Sequence, residues 1–387
     1  MKRYLLFGFL ELCITKLYFR RKIRLIKLIG FRVDSSLSIG IGHVMRCLAL
    51  AVKLKKKLNV RVMFFCRASL GNVNSLIKEA GFELFEMRPA KKGFEYVAKN
   101  GDWLGETQQN DFNEFLSLKK EYLIPSLDFL IIDHYGIDFE WQRMIRSYTR
   151  NILVIDDIGN RKHECEFLLD QTFNCLHDKY SHLVPKTCET LLGTDYALLR
   201  EEFSFRYDYV ASIRKKQFKN NILIMFGGID ICNHTLQTLR IIKDRDDINE
   251  VSVIMGASAL HINEVTDFCQ FRDMFKVYIS PDNVAEIMLN ATLAIGAAGT
   301  TSWERCATGL PSVVIIQAGN QRLIAQELEK MGVISVLEES DIMCSLNIQI
   351  DQWFANVANK PEIINKCLHI CDGNGANRLV EKVFSSD

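Results

Sequence analysis

An apolar run, residues 25–33, ends in a cluster of Asp34, Ser35, Ser36 and Ser38; Gly40 and Gly42 follow, and His43 opens the next segment. In that segment Val44, Cys47, Leu48, Leu50 and Val52 recur at helical spacing. The stretch therefore predicts strand, glycine-rich turn, helix. Glycine tolerates φ > 0 and lets a ligand approach the backbone closely. Such a turn aims backbone N–H groups and a helix N-terminus at one spot, which suits an anion. An imidazole stands at the rim of that spot.

The same alternation continues along the chain. Residues 60–66, 82–87, 128–133 and 152–155 read as further strands, with helices over 43–58, 73–80, 111–121 and 139–148. Short apolar runs alternating with helical patterns build a parallel sheet covered by helices. Residues 206–220 are charged and weakly periodic, and read as an inter-domain connection. The alternation then restarts, with strands over 221–226, 251–255, 275–279, 293–295 and 313–316. The expected fold class is α/β, with two Rossmann-like domains facing across a cleft: residues 25–205, which carry His43, and residues 221–387. A short last helix, residues 376–384, is placed to pack back across that cleft. Residues 1–24 read as an extension: an apolar piece is interrupted by Glu11 and Lys16 and followed by Arg20, Arg21, Lys22 and Arg24. A membrane span needs about 20 largely uncharged residues, so no stable membrane insertion is expected. The extension is either a basic interfacial helix or sequence ahead of the domain start.

A length of 387 residues accommodates two domains, and a formal net charge of +1 gives no global pull toward nucleic acid or anionic lipid. No basic tract interleaved with aromatics suggests nucleic-acid binding. The 12 cysteines are scattered without a C-x-x-C pair, which predicts reduced thiols and a cytoplasmic protein. Cys367, His369 and Cys371 crowd together but lack a second ligand pair at matching spacing, so neither a metal nor a cofactor is expected. The chain is expected to act as a monomer.

In parallel sheets, ligands bind beyond the carboxyl ends of the strands. The chemically interesting residues all follow predicted strands: 34–43, His134 and Tyr135, Asp157, 227–230, 296–304 and 317–321. A dinucleotide fingerprint is excluded, because Met45 stands where its third glycine belongs and Phe64, Phe65 and Cys66 stand where its acid belongs. Gly299 lies in a small-residue turn that opens a helix, a place for a diphosphate, and Glu304 follows about one turn later. By itself Glu304 reads as an ordinary first-turn acid, and Gly227-Gly228 as an ordinary helix-entry turn. Asp34 either orients His43 or caps the turn. Asn320 and Gln321 contact phosphate or sugar, or cap a helix. Arg200 faces the diphosphate or forms a surface ion pair. The helix dipole favours a neutral imidazole at His43, which can take a proton from water.

The segment R-V-D-S-S-L-S-I-G-I-G-H-V-M-R-C-L, Arg32 to Leu48, resembles the start of the UDP-sugar hydrolases of pseudaminic acid biosynthesis. Asp102-Trp103-Leu104-Gly105 and the late D-G-N-G-A-N-R, Asp372 to Arg378, are similar to segments of the same family. The resemblance implies the glycosyltransferase-B architecture and a UDP-linked diacetamido-trideoxyhexose as substrate. It also implies cleavage at the anomeric carbon to UDP and free sugar. It assigns the catalytic position to His43, an active-site tyrosine to Tyr135, the donor pocket to Gly227 and Gly228 and ribose binding to Glu304. A glycosyltransferase with the same pocket, or a non-catalytic nucleotide-sugar-binding subunit, are the alternatives.

Overall fold

The structure, a computed structural model, describes residues 26–89, 102–217, 219–317, 319, 321–356 and 360–385. The extension at residues 1–24 and the candidate Asn320 lie outside the described residues.

The first sheet has seven strands: β1 (Lys27–Val33), β2 (Val60–Arg67), β3 (Glu83–Met87), β4 (Leu127–Asp133), β5 (Thr149–Ile155), β6 (Phe167–Asp170) and β7 (Glu189–Leu192). They lie in the order β3-β2-β1-β4-β5-β6-β7, and every pairing is parallel. The second sheet has six: β8 (Asn221–Met225), β9 (Glu250–Met255), β10 (Phe275–Ile279), β11 (Leu293–Ala297), β12 (Ser312–Ile315) and β13 (Ile334–Leu337). Their order is β10-β9-β8-β11-β12-β13, again all parallel. The two sheets thus share one topology, each with strand order reversing beside its first strand.

The strands read as unbroken apolar runs because helices cover both faces. Along β4, Phe129 and Ile131 join the core cluster of Ile29, Phe31, Val44 and Leu50, while Leu130 and Ile132 join that of Met63, Phe65 and Trp141. Alternate residues point to opposite faces, as the strand period requires.

The segments at the two ends of the second domain pack on different halves. The helix Tyr207–Lys215, in the segment read as a connection, sets Val210 against Leu289, Ile364 and Leu368. The last segment, helix Gly375–Leu379 and its continuation through Phe384, returns to the first domain. There Leu379, Val380, Val383 and Phe384 complete the cluster around Ile29 and Phe31, and Phe384 lies 4.6 Å from the Phe129 ring. Among the described residues, no helix is long and apolar enough to cross a membrane.

Candidate functional site

Both strand-order reversals open toward the same cavity. The segment after β1 (residues 37–43), Tyr135 after β4, the turn after β8 (residues 227–232) and the turn after β11 (residues 298–301) all line it, and its volume is about 820 Å³. A cavity at two switch points at once is where open α/β sheets place ligands.

The glycine turn is pinned by its own backbone. Gly40, at φ 79°, donates its N–H to the Ser36 carbonyl at 2.9 Å. Helix Gly42–Lys57 then starts with no side-chain cap and no acid in its first turn. Its first-turn N–H groups therefore remain for a ligand.

His43 is buried but lines the cavity. Its Nδ1 lies 2.6 Å from Asp133 Oδ1. Asp133 ends β4, and the register pairs it with Val33, the residue before Asp34. An Nδ1–H donated to the carboxylate leaves Nε2 with its lone pair. Arg46, one turn along the same helix, grips Asp133 through Nε and Nη2, both at 2.6 Å, and reaches Asp157 through Nη1 at 2.9 Å. Burial alone would raise the Asp133 pKa; Arg46 and then His43 outweigh it and hold the carboxyl well below its usual range. Tyr135 stands edge-on to His43, with ring centroids 4.6 Å apart, and its hydroxyl donates to Asp157. Burial, reinforced by Asp157, pushes the Tyr135 hydroxyl pKa up, so it stays a donor. Neither Arg46 nor Asp133 was among the residues expected from the sequence. The signal for Arg46 was present in its i, i+3 spacing from His43, which puts both on one helix face. Asp133 carried no local signal, since it lies 90 positions from His43.

Asp34 does not orient His43. It is bound by Arg32, whose Nη1 lies 2.6 Å away, and it accepts the Arg67 backbone N–H at 2.6 Å. Arg32 and Arg67 in turn share Asp111, each at 2.6 Å. This buried network joins β1, β2 and the helix Gln108–Glu121, and Asp34 is not among the residues lining the cavity. His134 belongs to the same layer: its Nδ1 accepts from Gly136 N at 2.9 Å, and its Nε2 faces Asp34 Oδ2 at 3.3 Å. Of the two neighbours, Tyr135 faces the cavity.

On the second domain, Gly227 has φ 83°, and Gly228 lies directly against the first domain. A Cβ on Gly228 would fall 2.2 Å from Ile41 Cδ1, so the residue between the two glycines of the first turn packs on it. A Cβ on Gly42 would meet Thr300 Oγ1 at 3.3 Å, while Gly299 has open space around it. Glu304, on the helix Thr301–Ala307, is half-buried and lines the cavity. Its Oε2 has no hydrogen-bond partner, and Oε1 lies 3.7 Å from Arg200 Nη2. Burial pushes the Glu304 pKa up, against the pull of the Arg200 cation. Arg200 divides itself between Glu304 and Glu202, the latter at 2.7 Å, and stands at the cavity wall. Gln321 lines the cavity too, but its Oε1 accepts the Gln317 backbone N–H at 3.0 Å and so closes its own loop.

Two parallel Rossmann-like sheets meeting at a shared cleft define the two-domain glycosyltransferase-B architecture. MurG of Acinetobacter baumannii has the same fold, with a TM-score of 0.60 at 15% identity over 93% of this chain and 100% of that one. Residues 222–367 match the glycosyltransferase family 28 C-terminal domain. Over 302 residues the chain is 28% identical to the UDP-2,4-diacetamido-2,4,6-trideoxy-beta-L-altropyranose hydrolase of Campylobacter jejuni, across 78% of this chain and 96% of that protein. It is 25% identical over 232 residues to the pseudaminic acid cytidylyltransferase and UDP-2,4-diacetamido-2,4,6-trideoxy-beta-L-altropyranose hydrolase of Helicobacter pylori, across 58% of this chain and 40% of that protein. The resemblance carried by Arg32 to Leu48 thus extends along most of the chain.

Proposed function

We propose that this protein is a UDP-sugar hydrolase that cleaves a UDP-linked 2,4-diacetamido-2,4,6-trideoxyhexose at its anomeric carbon, releasing UDP and the free sugar. It acts as a monomer in the cytoplasm, in the making of a nonulosonic acid. The observation that carries the reading is the His43–Asp133 pair at the cavity wall, across the cleft from the Glu304 turn.

The chemistry divides between the domains. Asp133 holds the His43 Nδ1–H, so Nε2 faces the reactant as a base. Water gives its proton to Nε2 as its oxygen bonds to the anomeric carbon. The bond from that carbon to the phosphate oxygen breaks, and the electron pair leaves with UDP. Asp133, kept ionised by Arg46, stabilises the imidazolium that forms. The Gly227 and Gly299 turns receive the diphosphate on backbone N–H groups. Glu304, with an unpartnered buried oxygen, accepts the ribose hydroxyls, and Arg200 lies beside it. Water enters opposite the leaving group, so the product is inverted.

The test is UDP release from a panel of UDP-sugars with no acceptor present. Release from the diacetamido-trideoxyhexose donor is expected. Release that requires an added sugar or lipid acceptor would make the protein a glycosyltransferase, and tight binding without turnover would make it a sensor.

A further inference from the structure

The second domain carries a cluster that the hydrolytic reading leaves unused. Cys232 lies in the turn after β8, His234 opens the helix His234–Ile242 that follows that turn, and Glu339 lies just beyond β13. Their ligand atoms all lie within 4.8 Å of one another. We propose that Cys232, His234 and Glu339 bind a zinc-class divalent transition metal that ties these two loops together at one rim of the cleft. The inference concerns the second domain alone and does not depend on the hydrolase reading.

The donor set selects the ion. Thiolate, imidazole and carboxylate together suit zinc and its neighbours, whereas magnesium and calcium take oxygen donors. The imidazole is already positioned. His234 is fully buried, its Nε2 lies 3.2 Å from Glu339 Oε1, and its Nδ1 lies 2.9 Å from Gln317 Nε2. Asp230 Oδ1 stands 3.8 Å from the same Nδ1, although that carboxylate chiefly accepts the backbone N–H groups of His234 and Thr235. A metal on Nε2 needs the proton on Nδ1, and a half-turn of the Gln317 amide then presents its oxygen to that proton. This is the outer support that metal-bound histidines ordinarily have.

Tetrahedral bonds of about 2.0–2.3 Å place ligand atoms roughly 3.5 Å apart. The His234–Glu339 separation already meets this. Cys232 and Glu339 are both exposed, so the site has an open entry path and Cys232 is free to close the remaining distance. Ligation by Cys232 releases the thiol proton to solvent as the sulfur–metal bond forms. The spacing Cys232-x-His234 carries no signal in the sequence, because the third ligand is 105 residues away from His234.

The experiment uses the full chain with Cys344→Ser, which removes the other exposed cysteine among the described residues. Zinc ion is titrated in competition with a chromophoric chelator, and cobalt(II) is added in a parallel sample. One ion per chain, bound more tightly than ~1 μM, and a thiolate-to-cobalt charge-transfer band are expected. Cys232→Ser should abolish the band, and Glu339→Gln should weaken binding at least about tenfold. Absence of one-to-one binding, or binding unchanged by Cys232→Ser, overturns the proposal. Zinc should also raise the melting temperature of the parent by more than that of Glu339→Gln; an equal rise in both would overturn the proposal as well.

Discussion

The proposed chemistry turns on one imidazole whose two nitrogens have different neighbours. His43→Ala should lower kcat by about 10²–10⁴, the usual worth of a general base, while UDP affinity by calorimetry stays unchanged; equal losses of both would remove the base role. Asp133→Asn tests the tautomer. An amide can donate to Nδ1 and turn the protonated nitrogen toward the reactant, so kcat should fall with KM little changed. The same variant should be less stable at neutral pH. The Asp133 pKa is lowered in the fold, so its contribution is full above the ordinary carboxylate value of about 3.9 and is lost as pH falls through the lower folded value. Glu304 has the opposite sign. Its folded pKa is raised, so burying the charge destabilises the protein above the folded value and ceases to do so as pH falls below the unfolded one. Glu304→Gln should therefore raise the melting temperature at pH 7 and have little effect near pH 3. It should also weaken UDP binding by about 1–3 kcal/mol. A lower melting temperature at pH 7 would contradict a Glu304 charge held at a net cost. His43 stands out in the sequence because it sits where a strand hands over to a helix; Glu304 has the same place, but only the family resemblance separates it from an ordinary first-turn acid. Asp34 misleads because it lies nearest to His43 in the chain, yet Arg32, two residues before it on β1, binds it first.

At the scale of elements, long strands with both faces buried announce themselves, and β1, β2, β4 and β8 are readable as apolar runs. The strands β6, β7 and β13 have four residues each, too few to show a period, and they lie at or near sheet edges. The helix Tyr207–Lys215 is hidden for another reason: its charged faces are solvated, and only Val210 and Arg214 are buried. The return of the last segment was expected from its position; its depth in the first core was not. Phe384 is fully buried against Phe129, and its backbone carbonyl accepts from Lys27 Nζ at 2.9 Å. Phe384→Ala should cost about 3–5 kcal/mol of stability, measured by denaturant unfolding. A cost below about 1 kcal/mol would mean that the terminal segment merely decorates the surface.

At the scale of the whole molecule, two sheets of one topology face each other and leave the reactant between them. The Ile41–Gly228 contact sets how closely the two turns approach. In the proposed mechanism one domain supplies a base for water, the other a bed for the leaving diphosphate, and neither holds the complete site. A nucleotide-sugar can break at phosphorus or at carbon, and the proposed division of labour predicts cleavage at carbon. Hydrolysis of the UDP-sugar in ¹⁸O-water, read by mass spectrometry before the free sugar exchanges its anomeric oxygen, decides between the two. The account predicts the label in the sugar and none in UDP; label in the UDP phosphate would contradict it and the role given to His43.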